Sequence, residues 1–359
     1  MRRIPTNPSV LILFAVASCA AASGQPAPVE LGRIPWGRDY DRALAEAGRS
    51  GRPILALFDE IPGCATCRKF GSGPLSHPIV VDASRLFVTL AIYNNRPGFD
   101  ERILRKFKEP AWNNPVVRFL NADAADLIPR RDRVWTTAAL LGRMVRALEV
   151  AGRPVPAYLR LVAFEYSPHR PQTATFAMYC YWEGEKHLGA IDGVLGTRIG
   201  RLGGREVVEV RFDAAVLDYA DLVSNAKSLQ CANRVFAGDD AQEKVARRII
   251  GAGAVTRTGR TLATDTQQQY HLAHHPQYHH LPVTALQATK INAELARGRN
   301  PDGFLSPGQI ALKNRIAELL TADRSHLSVL RRVAPDRSET GLSSYARRIE
   351  RIVAGLEEG

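Results

Sequence analysis

The chain has 359 residues and a formal net charge of +12, with 45% hydrophobic and 23% charged residues. That length accommodates two domains with separate cores, and the composition is that of a globular protein rather than a disordered or fibrous one. The positive charge is mostly arginine scattered along the chain, without the clustered basic stripe and interleaved aromatics of a nucleic-acid binder, so nucleic acid is excluded as an expected partner.

The N-terminus has the order of an export signal: Arg2 and Arg3, a short apolar core from Val10 to Ala17, then the small residues Ala20 to Gly24. The apolar core is too short to span a bilayer. Residues 1–24 are therefore expected to be a signal peptide, with a periplasmic protein as product. Val16-Ala17-Ser18-Cys19 also resembles a bacterial lipobox, which implies a lipid anchor at Cys19 as the other route. A Pro-containing stretch at 25–35 is expected to be a linker.

A first α/β unit is predicted over 36–151. Asp39 to Arg49 has a helical apolar face, and Pro53 to Phe58 is an apolar run that fits a buried strand. Phe87 to Tyr93 and Pro115 to Leu120 are further strands. Glu101 to Phe107 and Thr136 to Val150 are helices. Alternating strand and helix indicates an α/β layer. Residues 152–172 join the modules, and Tyr158 to Glu165 fits a helix or a strand. A second unit, α/β or α+β, is predicted over 172–282. Its strands are Thr173 to Tyr179, Val194 to Ile199 and Glu206 to Phe212, and its helices Tyr219 to Leu229 and Ala241 to Ile250. A helical extension over 283–359 is expected to act as packing material.

Outside the signal, four cysteines remain: Cys64, Cys67, Cys180 and Cys231. An exported chain this large and this poor in cysteine is not a disulfide scaffold, so its thiols are expected to be chemical. Cys64-Ala65-Thr66-Cys67 follows a strand and opens a helix, the context of thiol–disulfide exchange. Half of a zinc site or a fixed disulfide are the structural alternatives. Cys180 lies between an apolar strand and a helical segment, where free N–H groups and the helix dipole favour a thiolate. Cys231 is either a resolving thiol or an inert buried one. His271, His274, His275, His279 and His280 are weak metal-ligand candidates on a stretch expected to be a surface loop.

The first unit resembles the thioredoxin-like superfamily. The resemblance rests on Ser50 to Leu55, the Cys64/Cys67 pair and Asn114-Pro115-Val116-Val117, and it implies that Pro115 is a cis-proline facing the thiols. More narrowly, Ile61-Pro62-Gly63-Cys64-Ala65-Thr66-Cys67 resembles the thioredoxin-like (seleno)protein family named for Val-Pro-Gly-Sec-x-x-Thr. Cys64 takes the selenocysteine place and Cys67 the threonine place.

The second unit resembles the A-type peptide methionine sulfoxide reductases. The match runs through Cys180-Tyr181-Trp182, Gly193-Val194, Gly200, Gly203-Gly204, Glu206 to Asp213, Tyr219 to Leu222, and Asp265 to Tyr270. It implies that Cys180 is the nucleophile, Glu206 the proton donor, and Tyr181 and Trp182 the apolar pocket for the substrate methyl group. It implies a structural role for Glu185. A thiolate attacks sulfoxide sulfur while an acid protonates the oxygen, leaving methionine and a sulfenic acid. The chain departs from this family in lacking a segment between Gly204 and Glu206 and in reducing a late tyrosine-bearing motif to Gly238-Asp239-Asp240. Met178 replaces the usual small residue.

The expected function is therefore an exported thiol redox protein that reduces peptide methionine-S-sulfoxide through Cys180 and is recycled by Cys64/Cys67. It needs no cofactor and draws on an external thiol reductant. The alternatives are a thiol–disulfide oxidoreductase with a degenerate second unit, and a metal-binding scaffold using the histidines.

Overall fold

Leu55 and Leu57 point to one face of the first sheet and Ile54, Ala56 and Phe58 to the other, and both faces are covered. Strand alternation thus explains why Pro53 to Phe58 reads as an unbroken apolar run. In the computed structural model, residues 27–259 and 261–358 are described. The expected signal peptide and the lipid-anchor candidate Cys19 lie outside them.

The first unit runs α1 (Tyr40–Ser50), β1 (Ile54–Asp59), α2 (Ala65–Ser72), α3 (Pro78–Ser84), β2 (Val88–Tyr93), α4 (Phe99–Phe107), β3 (Val116–Leu120) and α5 (Thr137–Val150). Its sheet has the order β2-β1-β3, with β2 parallel and β3 antiparallel to β1. α6 (Ala157–Tyr166) follows. It is a helix because Tyr158, Leu159 and Val162 bury one face into the first core.

The second unit runs β4 (Pro171–Ala177), α7 (Tyr181–Leu188), β5 (Val194–Leu202), β6 (Arg205–Asp213), α8 (Tyr219–Ser228), β7 (Arg234–Ala237), α9 (Asp240–Ile250), β8 (Val255–Arg257) and β9 (Ala263–Thr264). The sheet order is β8-β7-β4-β6-β5-β9, antiparallel except for β7 with β8. Gly203 and Gly204, at φ +57° and +74°, make the tight turn joining β5 to β6. The helical part comprises α10 (Tyr270–Ala273), α11 (Pro276–His279), α12 (Ala285–Ala296), α13 (Pro307–Ala322), α14 (His326–Leu330) and α15 (Glu339–Glu357).

The fold is mixed α/β with a thioredoxin-like N-terminal region and a helical C-terminal part. One connection differs from its sequence reading, a second resolves to the helical alternative, and the C-terminal helices have a further part. The stretch 25–35 is not a free linker where it is described: Glu30 and Ile34 are buried, and Trp36 donates from Nε1 to the Leu31 carbonyl at 2.8 Å. Residues 152–172 are filled by the packed helix α6. The C-terminal helices do more than cover one core. Asp82 on α3 accepts from the Ser306 hydroxyl and, at 3.0 Å, from the Gly308 N–H, so a carboxylate of the first unit caps the start of α13. Glu165 on α6 accepts from the Leu286 N–H at 3.1 Å in the same way at α12.

Candidate active sites

β1 ends in Asp59, and after four intervening residues the chain turns into α2 with Cys64 as its N-cap. The turn is tight at Gly63. A Cβ there would lie 2.2 Å from the Glu60 carbonyl oxygen and 2.7 Å from the Cys67 Cβ, and the Gly63 N–H donates to the buried Glu30 carboxylate at 2.8 Å. Gly63→Ala is expected to destabilise the protein by about 1–3 kcal/mol. The expected result is a lower urea midpoint with an unchanged slope; an unchanged midpoint would contradict the close approach.

The thiols of Cys64 and Cys67 are 3.0 Å apart, Cys64 exposed and Cys67 buried. Burial acts to raise the Cys64 thiol, but the Cys67 thiol and the N–H groups of Cys67 and Thr66 outweigh it and hold Cys64 below the ordinary range. Cys67 is pushed strongly upward by burial, by its bond to Cys64 and by Asp59. Its thiol donates to Asn114 Oδ1 at 2.8 Å. The following Asn114–Pro115 peptide is cis, and Trp135 Nε1 fixes the loop by donating to the Pro115 carbonyl at 3.0 Å. Behind the pair, burial raises the Asp59 carboxyl to about 7, opposed by the adjacent Cys67 thiol. Asp59 Oδ1 accepts from the Glu60 N–H, while Oδ2 has no hydrogen-bond partner. The site is an attacking thiol, a buried partner thiol and an acid able to exchange a proton with it near neutral pH. Glu60, Cys64 and Cys67 also bring three ligand atoms within 4.8 Å of one another, a set able to hold a soft divalent ion.

Cys180 is the N-cap of α7, half-buried at the end of β4, and unlike Cys64 it forms no side-chain cap bond. The Met178 N–H donates to the Glu206 carbonyl at 3.2 Å, which brings β6 alongside the nucleophile candidate. The Glu206 carboxylate then caps the same helix start: Oε2 accepts from the Tyr181 N–H at 3.1 Å, and Oε1 lies 3.3 Å from Arg201. Tyr181 is buried, and its hydroxyl donates to Asp265 Oδ2 at 3.1 Å. Trp182 stacks on Tyr270 with ring centroids 4.0 Å apart. The segment 265–270 is clasped to this helix and to β5. Gln268 exchanges bonds with the N–H and carbonyl of Ile199, and Glu185 Oε1 accepts from the Gln269 N–H at 3.1 Å. Burial lifts the Glu185 carboxyl to about 7, against the pull of the Gln269 and Tyr270 N–H groups. Glu185 therefore organises the wall of the site, whereas Glu206 is the carboxylate at the Cys180 end of the helix.

Two further observations bear on substrate. A cleft of about 490 Å³ lies on the same sheet, lined by Thr175, Leu202, Glu209, Phe236 and Gly238 among others, and it does not include Cys180. The most exposed large apolar side chains among the described residues are Tyr179, 95% exposed beside Cys180, and Trp112, 82% exposed in the loop that supplies Asn114.

Cys231 does not fit the part of a resolving thiol. It is 2% exposed in the second core, burial raises its thiol to about 11, and its sulfur donates only to the Leu229 carbonyl at 3.4 Å. A thiol that stays neutral and enclosed cannot capture a sulfenic acid. Cys231→Ala is expected to leave turnover within about twofold while lowering stability by about 1 kcal/mol through the small cavity. Steady-state assays and urea unfolding check the two parts.

The histidines are also corrected. They occupy α10, α11 and their caps rather than a surface loop, and His280 is buried with its carbonyl accepting from the Tyr345 hydroxyl at 2.8 Å. His274 and His275 turn Nδ1 to the carbonyls of Tyr270 and His271. Burial pushes His279 and His280 down to about 4. Among the described residues, no group of three metal-ligand atoms includes His271, His274, His275, His279 or His280.

Comparison with known proteins finds likenesses of two kinds. The family model described as thioredoxin-like matches residues 35–122. Two curated peptide methionine sulfoxide reductases, MsrA of Methanothermobacter thermautotrophicus and of Methanococcus maripaludis, are 37% and 32% identical over the matched segments. These segments cover 15% and 14% of this chain and 42% and 44% of the relatives, so the chain spans less than half the length of the curated relatives it matches. A solved structure titled DsbH Oxidoreductase aligns at 18% identity and TM-score 0.28, covering 35% of this chain and 91% of its own. The chain thus joins a thioredoxin-like region to a region distantly homologous to the MsrA enzymes, and both likenesses support thiol redox chemistry.

Proposed function

We propose that this chain reduces methionine sulfoxide in peptides at Cys180 and is returned to its reduced state by Cys64 and Cys67. The observation that carries the reading is the start of α7, where a half-buried thiol and the Glu206 carboxylate share one helix N-terminus. The Cys180 thiol proton passes to Glu206 and on to the sulfoxide oxygen as the Cys180 sulfur attacks the sulfoxide sulfur. The oxygen leaves with the cysteine, so the products are methionine and a Cys180 sulfenic acid. Cys64 thiolate then attacks the Cys180 sulfur and releases water, forming a mixed disulfide. Cys67, deprotonated with the help of Asp59, attacks Cys64 and frees Cys180. Two electrons have passed from the dithiol to the sulfoxide, and an external thiol reductant must reopen the Cys64–Cys67 disulfide. Tyr181, Trp182 and Tyr270 supply the apolar wall for the methyl group.

In this reading the first unit belongs to the Val-Pro-Gly-Sec-x-x-Thr branch, with Cys64 in the selenocysteine place. Residues 1–24 direct export, to a soluble periplasmic form or to one lipid-anchored at Cys19. Cell fractionation after expression in a Gram-negative host tests this: periplasmic or membrane recovery is expected, and an unprocessed cytoplasmic product would contradict it.

A second reading is favoured by the 490 Å³ cleft that excludes Cys180. In it, the second unit binds peptide without chemistry and the dithiol alone is active. Assay of methionine release from peptide methionine-S-sulfoxide with dithiothreitol separates the two, since only the first reading yields methionine.

A further inference from the structure

α12 turns an apolar face inward, and Lys290 lies on it, 6% exposed. A buried ammonium is costly unless an anion or several acceptors take the place of water. Lys290 has one: its Nζ donates to the Ile191 carbonyl at 2.8 Å. Among the described residues no carboxylate lies within ion-pair distance of it. Asp192 and Glu294 act on it only at longer range. Glu294 is already paired with Arg297 and Arg299. Burial accordingly holds the Lys290 amine down at about 8, with Arg297 adding to the effect.

Lys290 lines a cleft of about 300 Å³ whose other walls include Leu161, Phe164, Val194, Val216 and Phe304. The cleft lies where α6, the start of β5, α12 and the short turn Asp302–Phe304 meet, and neither Cys64 nor Cys180 lines it. Arg160 lines it as well, and its guanidinium is held by Glu149 at 2.8 Å; Asp192 is the acidic residue on the lining. An apolar cleft bordered by a buried lysine that has no ion-pair partner fits a small-molecule site.

We propose that this cleft binds a small amphiphilic carboxylate, with its headgroup on Lys290 and its hydrocarbon chain against Phe164, Val216 and Phe304. The headgroup supplies the counter-charge that the fold omits, and the chain removes the apolar walls from water. Because the cleft is built from α6, the second sheet and the C-terminal helices, occupancy strengthens the junction of these layers.

Isothermal titration of the full chain with octanoate, octanol and octylamine tests the proposal. Saturable octanoate binding in the millimolar range or tighter is expected, with octanol and octylamine each weaker by about tenfold or more. Lys290→Met is expected to remove the preference for octanoate over octanol. Val216→Asp, at an exposed position of the cleft wall, is expected to weaken octanoate about tenfold without unfolding the chain, and serves if the lysine variant does not fold. No saturable octanoate binding, equal affinity for the three probes, or octanoate binding unchanged by Val216→Asp would each overturn the site. Methionine sulfoxide turnover is not read in any arm, so the outcome is independent of the activity proposed above.

Discussion

Cys180→Ser is expected to abolish methionine formation from peptide methionine-S-sulfoxide, a loss of at least about a thousandfold, because a hydroxyl cannot replace the attacking sulfur. The variant is expected to fold normally, since the Cys180 side chain makes no cap bond. It is also expected to retain reduction of an unrelated disulfide by Cys64 and Cys67, which sit at the start of α2 beside the other sheet. Glu206→Gln is the companion variant. It keeps an acceptor for the Tyr181 N–H but cannot deliver a proton, so turnover is expected to fall by about a hundredfold or more with little change in stability. Equal turnover by wild type and Cys180→Ser would assign the chemistry to the dithiol alone.

Asp59→Asn is expected to make the protein more stable at neutral pH and slower in thiol exchange. The folded carboxyl, raised to about 7 by burial, holds its proton more tightly than an unfolded aspartate near 4. Its contribution to stability is therefore fully present below about pH 4. It declines as the pH rises toward 7 and is lost above that. Three pH units of difference amount to about 4 kcal/mol at most. The asparagine variant has no such decline, so its advantage over wild type should grow between pH 4 and 7 and level off above. The same change removes the group that takes the Cys67 proton, and release of the Cys64 mixed disulfide is expected to slow about tenfold or more. Urea unfolding across pH 4–8 and stopped-flow thiol exchange measure the two effects. A stability difference independent of pH would contradict the buried, proton-holding carboxyl.

Local patterns made much of this molecule legible. The run from Pro53 to Phe58 announced a strand covered on both faces, and Cys-x-x-Cys directly after it marked the helix start. The alternation in Glu206 to Phe212 and the glycine pair at 203–204 fit the β5–β6 hairpin. What stayed hidden depends on residues distant in sequence. Asp59 is one of two adjacent acids at the end of β1 and becomes special only because the fold buries it behind Cys67. Asn114 acquires its role by meeting a thiol 47 positions away. Glu30 sits in a proline-containing stretch that composition alone assigns to a linker, yet it holds the Gly63 turn. The capping of α13 by Asp82 spans more than two hundred residues and leaves no local trace. The histidine stretch misled in the opposite sense. Its density suggests ligands or a loop, but the segment is helical, His274 and His275 turn Nδ1 to helix carbonyls, and His280 is buried.

The most direct test is a single-turnover reaction without external reductant. The fully reduced chain is mixed anaerobically with one equivalent of peptide methionine-S-sulfoxide, and methionine and thiol states are measured together. Transfer from the dithiol through Cys180 predicts about one methionine per chain, with a Cys64–Cys67 disulfide and Cys180 again reduced. Absence of methionine, or methionine formed while Cys64 and Cys67 remain reduced, would contradict it.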